Sequence, residues 1–169
     1  MIETARLRIR RLTPADAPFI VSLLNDPAFL QFIGDRGVRT DEEAIAYIDK
    51  GPVSSHARFG FGLDAVDDLR TGEPMGICGL LKRDELEAPD LGFAFLPAFR
   101  RHGFAREAAA AVLDDAAARL TIPRVLAIVQ ADNERSIALL EGLGFLFERL
   151  TNSSRGETLR LYARTLRGH

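Results

Sequence analysis

Leu91-Gly92-Phe93-Ala94-Phe95-Leu96-Pro97, then Arg100-Arg101-His102-Gly103-Phe104-Ala105, then a helix-like run from Glu107 to Leu120: this succession decides how the chain is read. The middle piece has the form Arg-x-x-Gly-x-Ala, and its place between strand and helix predicts a phosphate cradle. Successive backbone N–H groups of such a turn converge at the helix N-terminus, where the helix dipole adds partial positive charge. Gly103 lets the backbone approach an anion without a Cβ, and Ala105 keeps the helix entrance small. Apolar residues at 104, 105, 108, 109, 112, 113, 116 and 120 give the helix one face to bury against a sheet.

Upstream, Phe59–Val66 and Met75–Lys82 read as two strands joined by the turn-rich segment 67–74, with Asp90–Leu96 the third of the group. Arg6-Leu7-Arg8-Ile9-Arg10 alternates like a half-buried strand with its arginines on the wet face. Thr13-Pro14-Ala15-Asp16 opens a helix to about Leu24, and the capping-box pair Thr40 and Glu43 opens another that runs to Gly51-Pro52. Between them Asn25–Arg39 is expected to be irregular, a lid-like segment. Downstream come a strand at Arg124–Gln130, a short helix capped by Asp132 or Asn133 and ending at Gly142 or Gly144, and strands at Phe145–Leu150 and Glu157–Leu166. The expected fold is a mixed α+β domain of about seven strands and four helices.

The chain has 169 residues, 47% of them hydrophobic and 27% charged, which suits a single domain over 1–169 with one core. A net charge of −2 offers no general attraction to nucleic acid or anionic lipid, so neither is an expected partner and any anion site must be local. The lone Cys78 is expected to be a small core residue and rules out an internal disulfide. His56, His102 and His169 lack metal-ligand spacing, so no metal is expected. With no signal-peptide pattern and no run of about 20 apolar residues, the expected location is the cytoplasm. Gly60-Phe61-Gly62 and Gly142-Leu143-Gly144 mimic a dinucleotide fingerprint but lack its third glycine and its βαβ setting.

A second block, Ala131 to Phe145, changes the weight of the first. Together with Thr4–Arg10, Asp90-Leu91-Gly92-Phe93, Arg100–Ala105 with Glu107, Asn133-x-x-Ser136 and Leu143-Gly144-Phe145, it makes nearly the whole chain resemble the GNAT superfamily of N-acetyltransferases. Within it the resemblance is to the ribosomal-protein N-terminal alanine acetyltransferases. The resemblance implies a mostly antiparallel central sheet splayed between its fourth and fifth strands, here Leu91–Leu96 and Val125–Gln130. It implies acetyl-CoA in that opening, with coenzyme A as product. The backbone N–H groups of Arg101, His102, Gly103, Phe104 and Ala105 would hold its pyrophosphate, and Phe93 to Phe95 would pair with its pantetheine arm.

The same resemblance assigns candidates for the chemistry. A backbone N–H near Phe95 would meet the oxyanion. Asp90, or less favourably Glu87, would take the amine's proton, against the plainer reading of a solvated loop carboxylate. Many members carry a tyrosine where this chain has Leu140, which leaves Ser136 as the available hydroxyl; it is either the acid for the departing thiolate or a hydrogen-bond partner near the helix start. Asn133 would cap that helix and touch the pantetheine. Arg100 and Arg101 either add charge near the phosphates or are solvated, while His102 contributes its backbone and Glu107 steadies the helix dipole. The acceptor is expected to be a primary amine, on a protein N-terminus or on a small molecule such as an amino acid or antibiotic, with Asn25–Arg39 and Leu150–Glu157 walling its pocket. An α-amine, with a pKa of about 7.7–8.0 against about 10.4 for lysine, demands less of a weak base. The rival reading is an acyl-CoA-binding module with weak or no catalysis. A monomer or a homodimer fits equally.

Overall fold

The computed structural model describes residues 1–166. Eight strands form one sheet: β1 (Ile2–Glu3), β2 (Leu7–Arg10), β3 (Leu63–Asp68), β4 (Pro74–Leu81), β5 (Asp90–Phe95), β6 (Arg124–Val129), β7 (Leu146–Asn152) and β8 (Thr158–Thr165). Their order across the sheet is β1-β2-β3-β4-β5-β6-β8-β7, antiparallel everywhere except between β5 and β6. That parallel junction is made at a single pair, Asp90 with Leu126. The splay therefore falls between the two strands expected to carry it. They are fifth and sixth rather than fourth and fifth because the two-residue β1, too short to show a period, precedes them.

Helices cover both faces. On one, α5 (Phe104–Arg119) buries Ala108, Ala109, Val112, Leu113 and Ala116 against Leu7, Ile9, Val66, Cys78 and Val125. On the other, α1 (Ala17–Leu24) and α3 (Asp41–Ile48) bury Ile20, Leu23, Leu24, Ala44 and Ile48 against Leu63, Ala65 and Ile77. Alternation along the strands sends successive side chains to opposite cores. Cys78 is fully buried and free, and burial pushes its thiol well above the ordinary range.

Two helices lie where the sequence suggested none. Asp26 accepts a hydrogen bond from the Phe29 N–H at 3.2 Å, and Pro27 takes the first position of α2 (Pro27–Phe32), inside the stretch expected to be irregular. The helix that opens at Thr40 does not stop at Gly51-Pro52. A widened π-helical turn, Asp49–Val53, accommodates Pro52, and the chain continues as α4 (Ser54–Phe59) to Gly60, whose φ of 82° ends it. Strand β3 consequently begins at Leu63 rather than Phe59. The short α6 (Glu134–Gly142) is capped by Asn133 rather than Asp132, the two residues between which the sequence left the choice.

Candidate active site

The Leu96 N–H donates to the Met75 carbonyl at 2.9 Å, and the β4–β5 register pairs Cys78 with Phe93 and Gly76 with Phe95. In an antiparallel ladder successive residues turn their backbone groups to opposite sides, so those of Phe93 and Phe95 face away from β4, toward β6. The Phe95 carbonyl is met by the Arg100 side chain, and among the described residues the bond to the β6 backbone here lies at the base of the opening, where Leu126 N–H donates to Pro89 O at 2.9 Å. Beyond it the strands part around a cleft of about 670 Å³ that both phenylalanines line. An unspent strand edge of this kind binds an extended, amide-bearing chain as an added strand.

At the end of β5 the cradle takes shape. Arg101 and Gly103 both have positive φ, 66° and 79°, which turns the chain into α5. None of the backbone N–H groups from Arg101 to Arg106 meets an acceptor among the described residues; the first intrahelical bond is Glu107 N–H to Gly103 O at 3.1 Å. Six adjacent unsatisfied donors at a helix N-terminus fit a phosphate.

The cradle is braced from β2's side of the sheet. Arg6 donates from Nε to Glu107 Oε1 at 2.8 Å and from a terminal nitrogen to the His102 carbonyl at 2.9 Å, and lies 4.4 Å over the Phe104 ring. Thr4 Oγ1 donates to Glu107 Oε2 at 2.5 Å. Partial burial alone would raise Glu107, but the hydrogen bonds from Thr4 and Arg6 outweigh it and hold the carboxylate below its ordinary range. Glu107 is thus a tie between β2 and the helix entrance. The alternating arginines gave Arg6 only a place on the wet face, and nothing local in the sequence joined it to a turn so far along the chain.

Arg100 serves a different junction from the one its neighbours suggested. Its Nε donates to the Phe95 carbonyl at 3.0 Å and its guanidinium contacts the carboxylate of Asp26, which caps α2. It links the splayed strand to the helix beside the cleft. Arg101 lines the cleft and has no ion-pair partner among the described residues.

Asp90 stands at the junction of β5 and β6, fully buried, with Arg83 Nε at 3.2 Å from both oxygens. Burial pushes it up to about 6 against the pull of Arg83, with Glu85 adding to the rise. The solvated-loop reading of Asp90 does not hold. Glu87 is exposed, pairs with Arg124 and does not line the cleft. Across the opening, Asn133 Oδ1 accepts from the Ser136 N–H at 3.4 Å, and both residues face the cleft. The Ser136 hydroxyl makes no hydrogen bond with the protein among the described residues. Leu140 is buried in the core.

The two segments expected to wall an acceptor pocket meet over the cleft. Arg155 donates to the Asp35 carbonyl at 2.9 Å, and Gln130 Nε2 to the Gln31 carbonyl at 3.2 Å. Phe29, Phe32 and Arg36 from one side face Thr151 to Arg155 from the other. Among the described residues no group of three or more His, Cys, Asp or Glu is placed to hold a metal, and no helix is long and apolar enough to cross a membrane.

A sheet split at one parallel junction, with an open strand edge leading into a cradle at a helix N-terminus, defines a class of proteins built to hold an extended ligand that ends in an anion. Residues 6–146 match the family model described as acetyltransferase (GNAT) domain, and the chain belongs to that family. It is similar to YoaA, an uncharacterized N-acetyltransferase of Bacillus subtilis (strain 168), at 26% identity over 86% of this chain and 82% of that one. The fold is shared with a ribosomal-protein-S5-alanine acetyltransferase from Vibrio fischeri: TM-score 0.81, 18% identity, 98% of this chain and 96% of that one. It is shared also with a spermidine N-acetyltransferase from Vibrio cholerae in complex with CoA and spermine: TM-score 0.79, 18% identity, 96% and 97%.

Proposed function

We propose that this acetyltransferase moves an acetyl group from acetyl-CoA to a primary amine of low pKa, an N-terminal α-amine or a small-molecule amine of similar acidity. The observation that carries this reading is the continuity of the Phe93–Phe95 edge, the cradle and Asp90 along one cleft. The coenzyme supplies the activated thioester. The backbone of Arg101 to Ala105 holds its pyrophosphate, and Arg101 adds charge at the cradle's edge. Phe93 pairs with its amide arm, Asn133 touches that arm from α6, and the Phe95 N–H receives the carbonyl oxygen as negative charge develops on it.

The amine attacks as the neutral base, forming the C–N bond as the C–S bond breaks. Asp90 takes, through water at the cleft floor, the ammonium proton whose loss frees the amine to attack, and the proton the nitrogen sheds after attack leaves with the thiol. A carboxylate near 6 accepts a proton from an α-ammonium at a cost of about two pKa units, or about 3 kcal/mol, against more than four units for lysine. The thiolate leaves toward Ser136, whose free hydroxyl donates a hydrogen bond to it. Leu140 offers no proton, which is the feature that favours the second reading, a coenzyme-binding module with little turnover.

Release of free thiol from acetyl-CoA, measured over a panel of N-terminal peptides and small amines, separates the two. Turnover with α-amines above lysine side chains is expected. Tight acetyl-CoA binding with no amine raising thiol release above background would establish the binding module instead.

A further inference from the structure

Strand β5 runs from Asp90 to Phe95 and the cradle follows its far end, so the groups around Asp90 lie a strand's length from the phosphate site. Side chains from four separate segments converge there on the cleft: Arg36 after α2, Tyr47 on α3, Arg83 after β4 and Arg155 in the β7–β8 turn. Arg83 is committed to Asp90. Arg155 gives one N–H to a neutral acceptor, the Asp35 carbonyl. Arg36 has no carboxylate partner among the described residues; surrounding protein lowers its pKa, Tyr47 opposes that, and Arg83 and Arg155 add repulsion. The Tyr47 hydroxyl likewise has no hydrogen-bond partner among the described residues, and burial raises its pKa so that it remains a neutral donor. Other acids on these walls are Glu85 and Glu157, and neither is paired with Arg36.

Guanidinium groups gathered in one concave wall repel each other, and an anion entering between them relieves that repulsion. Their planar forks match a carboxylate in particular. We infer that the amine acceptor carries a carboxylate within a few bonds of its reacting nitrogen, and that Arg36, Arg155 and the Tyr47 hydroxyl receive it. The inference rests on the acetyl-transfer reading and narrows its acceptor to amino acids and acidic peptide N-termini. A polyamine would bring further positive charge to the same wall.

The test supplies the protein with acetyl-CoA and four acceptors: free glutamate, an amidated Ser-Glu-Ala peptide, its Ser-Lys-Ala counterpart, and spermidine. The acidic acceptors should exceed the cationic ones by about tenfold or more in kcat/KM, and use of the amidated peptide, which has no α-carboxylate, tells that a side-chain carboxylate suffices. Arg36→Ala should collapse that ratio and Arg36→Lys should keep part of it. Equal use of all four, or preference for spermidine, overturns the inference. If no amine releases thiol, acetyl transfer itself fails, and the subsite is judged by calorimetry of N-acetylglutamate with the coenzyme A-loaded protein. Binding that Arg36→Ala weakens by about tenfold sustains the anion site on its own, and no binding rejects it.

Discussion

The two ends of the cleft are built on opposite plans. The cradle end, where we place the phosphates, is made of backbone: consecutive N–H groups from Arg101 to Arg106, aimed by the positive φ of Arg101 and Gly103. The Asp90 end, where we place the acceptor, is made of side chains from four segments that the topology brings together. A backbone site tolerates most side-chain exchange but depends on a few conformations. A side-chain site has no conformational linchpin and depends on each charge. Gly103→Glu strikes the first plan where it is weakest: it forces an L side chain to φ 79° and sets a carboxylate beside the expected phosphates. Coenzyme affinity, read by calorimetry, should fall by about a hundredfold or more while circular dichroism stays native. Retained affinity would break the contrast, because the cradle would then not be a backbone site.

At the other end the sharpest test is Asp90→Asn. If Asp90 takes the amine's proton, kcat should fall by about a hundredfold with coenzyme affinity little changed. In the native protein kcat/KM should rise with pH through about 6, where Asp90 is half ionised, and the variant should lose that limb. Stability runs the other way. The folded pKa lies above the unfolded value of about 3.9, so the folded state binds the proton more tightly; Asp90's contribution is full below about 4 and is lost as pH rises through about 6, about 3 kcal/mol in all. Urea midpoints measured from pH 4 to 8 should show that decline in the native protein and a flatter course in Asp90→Asn. Parallel stability profiles would show that folding does not raise its pKa, and parallel kcat/KM profiles would remove Asp90 from the chemistry.

The same division explains what could be read from the sequence. The cradle and the cap at Asn133 were legible as local patterns of strand, turn and helix start, whereas the splay between the two strands came only from the family resemblance. Asp90 was legible as a carboxylate at the right strand, but not its burial, which depends on the β6 backbone closing over it at Leu126. The brace from Arg6 and the strut from Arg100 to Asp26 were not legible, since they join residues 101 and 74 positions apart. Helix α2 was missed although Asp26-Pro27 is a start signal, because six residues are too few to show a period.

Arg100 sits where the two plans touch, and it separates them with a smaller effect. Its guanidinium is spent on the Phe95 carbonyl and on buried Asp26, so Arg100→Ala should cost about 2–3 kcal/mol of stability by stranding that carboxylate. Asp26→Asn should couple to it in a double-mutant cycle, and both variants should raise KM for the amine more than for acetyl-CoA. If instead Arg100→Ala weakens coenzyme binding tenfold and Asp26→Asn does not, Arg100 belongs to the phosphate end.

Ser136 should give the smallest change. It lies in the first turn of α6 with its N–H on Asn133 and its hydroxyl free toward the cleft, one turn before the buried Leu140. A thiol of pKa about 8.5 leaves as its anion without much help, so losing one hydroxyl donor should lower kcat by less than about tenfold. The effect should be larger for thioester analogues whose thiol is more basic, since these need the donor more. A drop of a hundredfold or more with acetyl-CoA itself would make Ser136 an obligatory acid. The proton inventory of the reaction would then rest on a side chain at each end of the cleft rather than on Asp90 alone.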